Sequence, residues 1–202
     1  MWVRGAAIRP VPRFAVVEAA TLEQIERQLA DDSPGASTEL DGAFTRFEST
    51  QPQLADALSH VLSRPLDETA LALGYFLSIT IWLAFERTFS ATRLREVSED
   101  ALKATDDAIE LEQELRASHG EEPFDLDDVV SLEQPSVLAF VHEHVDAALD
   151  PEGRDEEGSQ ARDVDVDDVH AVYRAIVLLT LCLSHAVLPI DGASRGSHEL
   201  MA

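Results

Sequence analysis

The sequence predicts an all-α fold, a compact bundle of about six or seven helices built from two weakly similar helical-hairpin halves. Three observations carry this. First, Ala70–Phe85, ALALGYFLSITIWLAF, contains no charge and only Gly74, Ser78 and Thr80 among its apolar residues. A helix apolar on every side must be buried on every side. The run falls short of the roughly 18–20 apolar residues of a membrane span, so it reads as a core helix. Second, a matching apolar run, AIVLLTLCLSHAVL, covers Ala175–Leu188. Third, each apolar run follows an amphipathic helix that opens on Gln-Pro, at Gln51-Pro52 and at Gln134-Pro135.

The elements follow in chain order. Residues 1–20 predict a loosely ordered N-terminal arm, with Phe14 to Val17 packing onto the body. Residues 21–188 then form a single helical domain. Thr21 with Gln24 has capping-box spacing, and Leu22, Ile25 and Leu29 supply a short stripe before Asp31-Asp32-Ser33-Pro34-Gly35. Ser37 or Thr38 opens the next helix, with Leu40, Phe44 and Phe47 at helical intervals. Proline at position 52 disfavours helix at Gln51 yet suits the first turn of a new one. Leu54, Leu58 and Val61 or Leu62 form the inner face of that helix, which Pro65 stops. The first half spans about residues 37–89.

Between the halves, Ser98 caps an acidic helix over 98–118, with Leu102, Ile109, Leu111 and Leu115 as its apolar side. The second half spans about 132–188, with Leu138, Val141 and Val145 facing inward. Pro52 matches Pro135, Leu54 matches Val137, Leu58 matches Val141 and Leu62 matches Val145. This order of events predicts an internal repeat whose apolar second helices share one core. Residues 151–163, PEGRDEEGSQARD, have the composition of a mobile loop, and residues 189–202 that of a mobile tail.

At 202 residues with 45% hydrophobic composition, the chain is long enough to bury a sizeable core without staples. Cys182 is the single cysteine, which excludes an intrachain disulfide and suits a reducing cytoplasm. Arg4, Arg9 and Arg13 stand near the N-terminus, but Pro10 and Pro12 interrupt the place of a signal peptide's apolar stretch, so a cytoplasmic protein is expected. The formal charge is −24, which opposes direct binding to nucleic acid or an anionic membrane. Most of it lies between Val97 and His170, where 24 acidic residues face four basic ones, a net −20.

Catalytic constellations are weakly represented. In Asp163-Val164-Asp165-Val166-Asp167-Asp168, a calcium loop would need glycine where Asp168 stands and glutamate where Arg174 stands. A ferritin-like carboxylate centre needs Glu-x-x-His pairs, and the closest spacing is Asp167-x-x-His170. Glu48, Glu86, Glu133 and His185 could converge on a metal if the repeat is symmetric, whereas Glu48 and Glu133 could instead neutralise amides at the Gln-Pro helix starts. His142 and His144 lack the i, i+4 spacing of a metal pair. Cys182 is embedded among leucines, where a thiolate is disfavoured. Arg174, the one charge interrupting the last helix, is expected to pair with an acidic residue.

Glu48, Gln51, Pro52 and Leu54 form the pattern E-x-x-Q-P-x-L, and Ile81, Trp82, Ala84 and Phe85 form I-W-x-A-F in the apolar helix that follows. In these residues the chain resembles a family of bacterial all-helical proteins. The resemblance implies a helical fold over about residues 37–188 and no particular activity.

These readings predict a non-enzymatic adaptor, regulator or assembly subunit without a cofactor. Asp106, Asp107, Glu110, Glu112 and Glu114 would form an acidic docking face for a protein with a basic surface, and self-association stays open. Two alternatives come from other classes: a metal-dependent carboxylate bundle enzyme, and an acidic mimic of DNA.

Overall fold

A computed structural model describes residues 7–29, 34–118, 133–149 and 164–190. Among these residues are seven α-helices: α1 (Ala19–Leu29), α2 (Pro34–Thr50), α3 (Pro52–Leu62), α4 (Glu68–Arg93), α5 (Glu99–Ala117), α6 (Pro135–Leu149) and α7 (Val166–Ala186). A short 3-10 turn, Arg13–Ala15, precedes them. The fold is thus the all-α bundle that the two apolar runs predict.

Helices α4 and α7 lie side by side at the centre and share the broadest contact in the molecule. They run parallel. At their starts Asp67 N–H donates to Asp168 Oδ2 at 2.8 Å and Asp165 N–H donates to Asp67 Oδ2 at 3.2 Å. At their ends Leu94 and Val187 form an isolated antiparallel bridge. Asp67 and Asp165 are also the N-caps of the two helices, accepting from Thr69 and Ala70 and from Asp167. The acidic run before α7 therefore works in helix capping, where carboxylates satisfy exposed amides and favour the positive end of the helix dipole.

Trp82, Phe85, Leu77, Ile81, Leu179 and Leu183 are fully buried along this central pair. Three of the hydroxyls that dilute the apolar runs bond back along their own helices, Ser78 to the Gly74 carbonyl at 2.6 Å, Thr180 to the Ile176 carbonyl at 2.8 Å and Ser184 to the Thr180 carbonyl at 2.6 Å. Thr80 Oγ1 is buried without a hydrogen-bond partner. At Gly74 an added Cβ would sit 2.5 Å from Leu62 Cδ2 and 3.4 Å from Val172, so glycine leaves room for the Leu62 side chain against α4. Both central helices are long and apolar enough to cross a membrane, and their most apolar windows are 67% and 61% buried within the bundle.

Around this pair, α1 packs on α4 and α6, and α5 packs on α7 and α3. Helix α2 covers α3 and α4 with Ala43 and Phe47. The break between α2 and α3 falls where the Gln51-Pro52 pair puts it, with proline in the first turn of α3. Two starts differ from expectation. Helix α1 begins at Ala19, ahead of Thr21, whose N–H turns back to the Glu18 carbonyl. Helix α2 begins at Pro34 instead of Ser37 or Thr38, since proline is pre-shaped for a first turn.

The N-terminal arm is the larger correction. Over residues 7–18 it packs further than expected: Ala15 and Val17 are buried, as foreseen for Phe14 to Val17, while Phe14 is 40% exposed, and Ile8 and Val11 are buried as well. Leu115, expected to pack inward, is 41% exposed, and Leu111 is 49% exposed. The inward face of α5 instead runs through half-buried Leu102, buried Ile109 and buried Glu112. The loop at 151–163 and the tail after Ile190 lie outside the described residues.

Near its end α4 is interrupted at Ser90, which takes φ 57° and ψ 161°. That region is essentially reserved for glycine. Replacing Ser90 with glycine is expected to stabilise the protein by about 1 kcal/mol. Chemical denaturation checks this, and an unchanged or lowered midpoint would mean that the Ser90–Thr92 hydroxyl contact at 2.9 Å outweighs the strain.

Candidate functional site

Two polar side chains organise the interior. Gln51, 1% exposed, donates from Nε2 to the Arg95 carbonyl at 2.9 Å and accepts the Val97 N–H at 3.0 Å. Gln134, fully buried, donates from Nε2 to the Ala15 carbonyl at 2.7 Å and accepts the Val17 N–H at 3.1 Å. Each carboxamide thus reads the carbonyl of one residue and the amide of the next but one, as a neighbouring β-strand would. Each also sits immediately before a helix-opening proline, and each clamped segment leads directly into a helix, α5 and α1. Gln134 Nε2 additionally reaches Ser184 Oγ at 2.8 Å on α7.

The clamp on residues 15–17 is one of several ties on the arm. Glu133 Oε2 accepts the Val11 N–H at 2.9 Å, Glu112 Oε2 accepts the Ala7 N–H at 2.8 Å, and His185 Nε2 lies 3.3 Å from the Pro10 carbonyl. Glu133 therefore serves the arm and not the amides of α6. Burial holds the His185 pKa below the ordinary histidine value, with the Pro10 carbonyl working in the opposite direction.

The five carboxylates expected to form one docking face divide into three groups. Asp107, Glu110 and Glu114 are exposed on the outer side of α5. Asp106 Oδ1 stands 2.8 Å from Arg174 Nη2, with Glu110 Oε1 at 3.4 Å from the same nitrogen, so Arg174 is paired as expected. The Asp106 contact is an ion pair by distance, although its angle falls outside a hydrogen bond and leaves Oδ1 without one. Glu112 is the correction. It is 7% exposed and faces inward, holding the arm. It cannot belong to an outer surface, because α5 turns this carboxylate toward the segment that covers it.

The carboxylates and histidine considered for a metal do not converge. Glu48 is exposed, Glu86 forms a two-pronged pair with Arg46 at 3.1 and 3.2 Å, and Glu133 and His185 hold the arm. The Glu86 hydrogen bonds raise the Arg46 pKa against the opposing effect of burial. Among the described residues no group of three or more His, Cys, Asp or Glu side chains is placed to hold a metal ion. Cys182 is a buried free thiol, and burial pushes its pKa up to about 11, with a Thr105 hydrogen bond acting against the rise. A thiol protonated to that extent is a poor nucleophile at neutral pH. His144 fills a structural place, with Nδ1 2.9 Å from the Phe140 carbonyl and Nε2 3.1 Å from Glu26 on α1.

Sequence reasoning located Gln51 and Gln134 as markers of helix starts and missed their role as clamps. The signal was present in the Gln-Pro pairs themselves, since a glutamine ahead of a helix-opening proline is a poor conventional cap and calls for another reason. Comparisons with protein-family models, with curated proteins and with solved structures find no match to this chain.

Proposed function

We propose that this protein works by contact, as a cytoplasmic adaptor, regulator or assembly subunit that docks a basic partner on the outer face of α5. The observation that carries the reading is Leu111, 49% exposed on a helix whose neighbouring outward positions are Asp107, Glu110 and Glu114. An exposed apolar side chain rimmed by carboxylates fits an amphipathic segment rich in lysine or arginine. The helix itself supplies the field, because Glu99–Ala117 carries seven carboxylates against Lys103 and Arg116. Such a field acts chiefly on the rate of association. The two glutamine clamps support a second part of the reading, that the chain is two copies of one helical unit locked across each other.

The test reverses Asp107, Glu110 and Glu114 to lysine and leaves Glu112, which anchors the arm, untouched. A partner captured on the native chain should associate with the folded triple variant at least about tenfold more slowly at low salt. It should also lose affinity for Leu111→Ala. Unchanged association with both variants would remove α5 as the docking face.

A further inference from the structure

Beyond the docking face, and independently of it, the two sides of the bundle differ in one place where their elements correspond. On the α4–α6 side, Phe140 stands five residues after the helix-opening Pro135, and Phe76 stands nine residues after the capping Asp67. Phe76, Phe140 and His144 pack there as tilted rings, with centroids 6.1 Å apart for Phe76–Phe140, 5.0 Å for Phe76–His144 and 4.3 Å for Phe140–His144. The same steps on the α3–α7 side, from Pro52 and from Asp165, arrive at Ala57 and Arg174. The aromatic plug is missing, and a groove of about 480 Å³ opens at this position. Buried Leu54, Leu58 and Leu179 form its apolar base.

The rim is unlike the rest of this acidic chain. His60 on α3 and Arg64, in the turn just past its end, are exposed at its edge and neither enters an ion pair among the described residues. Arg174 closes another part of the wall, held by Asp106 and Glu110. Asp56 also lies on this edge, so the cations do not stand alone.

We propose that this groove binds a small aromatic carboxylate. Its ring takes the space that Phe140 fills on the other side of the bundle, and its carboxylate faces His60 and Arg64. The volume lies within the ordinary range of small-ligand pockets. A flat ring fits between alanine-lined helix faces, and an anion meets the Arg64 guanidinium, which has no ion pair among the described residues, with His60 as a second hydrogen-bonding group.

Titration of the full chain with phenylacetate, followed by amide NMR shifts, tests the assignment. Saturable shifts are expected on α3 and α7 with Kd about 1 mM, ordinary for a ligand of this size. Benzylamine, the same ring with the opposite charge, should bind about tenfold more weakly, and Arg64→Ala should weaken phenylacetate several-fold. Ala57→Phe restores the plug and should abolish binding while keeping or raising Tm. Should that variant fail to fold, Ala175→Leu narrows the opposite wall and should weaken binding in the same way. The proposal is overturned if phenylacetate gives no saturable shifts on these helices up to about 10 mM. Equal binding of benzylamine, or undiminished binding to the folded plugged variant, would also overturn it.

Discussion

Replacing Gln134 with alanine is expected to lower the stability of the protein by about 3–5 kcal/mol, because it strips the partners from several buried polar groups at once. The Val17 amide, the Ala15 carbonyl and Ser184 Oγ all lose a bond, in a place where Gln134 itself is fully buried. Water does not take over such bonds without opening the core, so the arm over residues 7–17 should loosen as well. Hydrogen exchange at Val17 should therefore accelerate in the variant. Gln134→Glu is the sharper comparison. The shape is kept, but a carboxylate cannot donate to the Ala15 carbonyl or serve as the amide donor to Ser184. If this near-isosteric variant melts with the native chain, the carboxamide does not clamp the arm. Gln51→Ala should cost somewhat less, about 2–4 kcal/mol, since that side chain makes two such bonds.

Truncating Trp82 to alanine is expected to cost a comparable 3–5 kcal/mol through the cavity it leaves between α4 and α2. The ring is 1% exposed, with the Phe47 ring 5.6 Å away and the Arg46 guanidinium 5.6 Å from its centroid. Its indole Nε1 is buried without a hydrogen-bond partner. Trp82→Phe should accordingly cost only about 1–2 kcal/mol, because volume is lost while no hydrogen bond is broken. Urea titration of both variants gives the two numbers. A phenylalanine variant as damaged as the alanine one would show that the indole N–H does have a bonded role.

The acidic helix shows where a one-dimensional pattern stops being informative. Its helical identity follows from Ser98, the 3.6-residue spacing and the abundance of good helix formers, and α5 forms at Glu99–Ala117 accordingly. Ile109 is correctly read as inward. Glu112 and Leu115, however, exchange the roles that their chemistry suggests, because a segment more than 100 residues earlier supplies a backbone amide to Glu112 (sequence separation 105). A carboxylate is buried where a donor compensates it, and no local window contains that donor.

By itself the sequence determined the helical class, the two central helices and the breaks at Gln51-Pro52 and Gln134-Pro135. These follow from local physics: a segment apolar all round has nowhere to go but the core, and proline fixes where a helix can begin. It also determined the charge imbalance, which is a property of composition alone. The tertiary structure decided what lies between helices. It turned two glutamines into clamps on extended segments, packed residues 7–17 onto the body, and divided five neighbouring carboxylates into exposed, paired and buried groups. It also left a groove beside Ala57, between α3 and α7, whereas Phe140 packs against Phe76 between α4 and α6. Those outcomes depend on which distant backbone or side chain arrives opposite each residue, and periodicity carries no record of the partner.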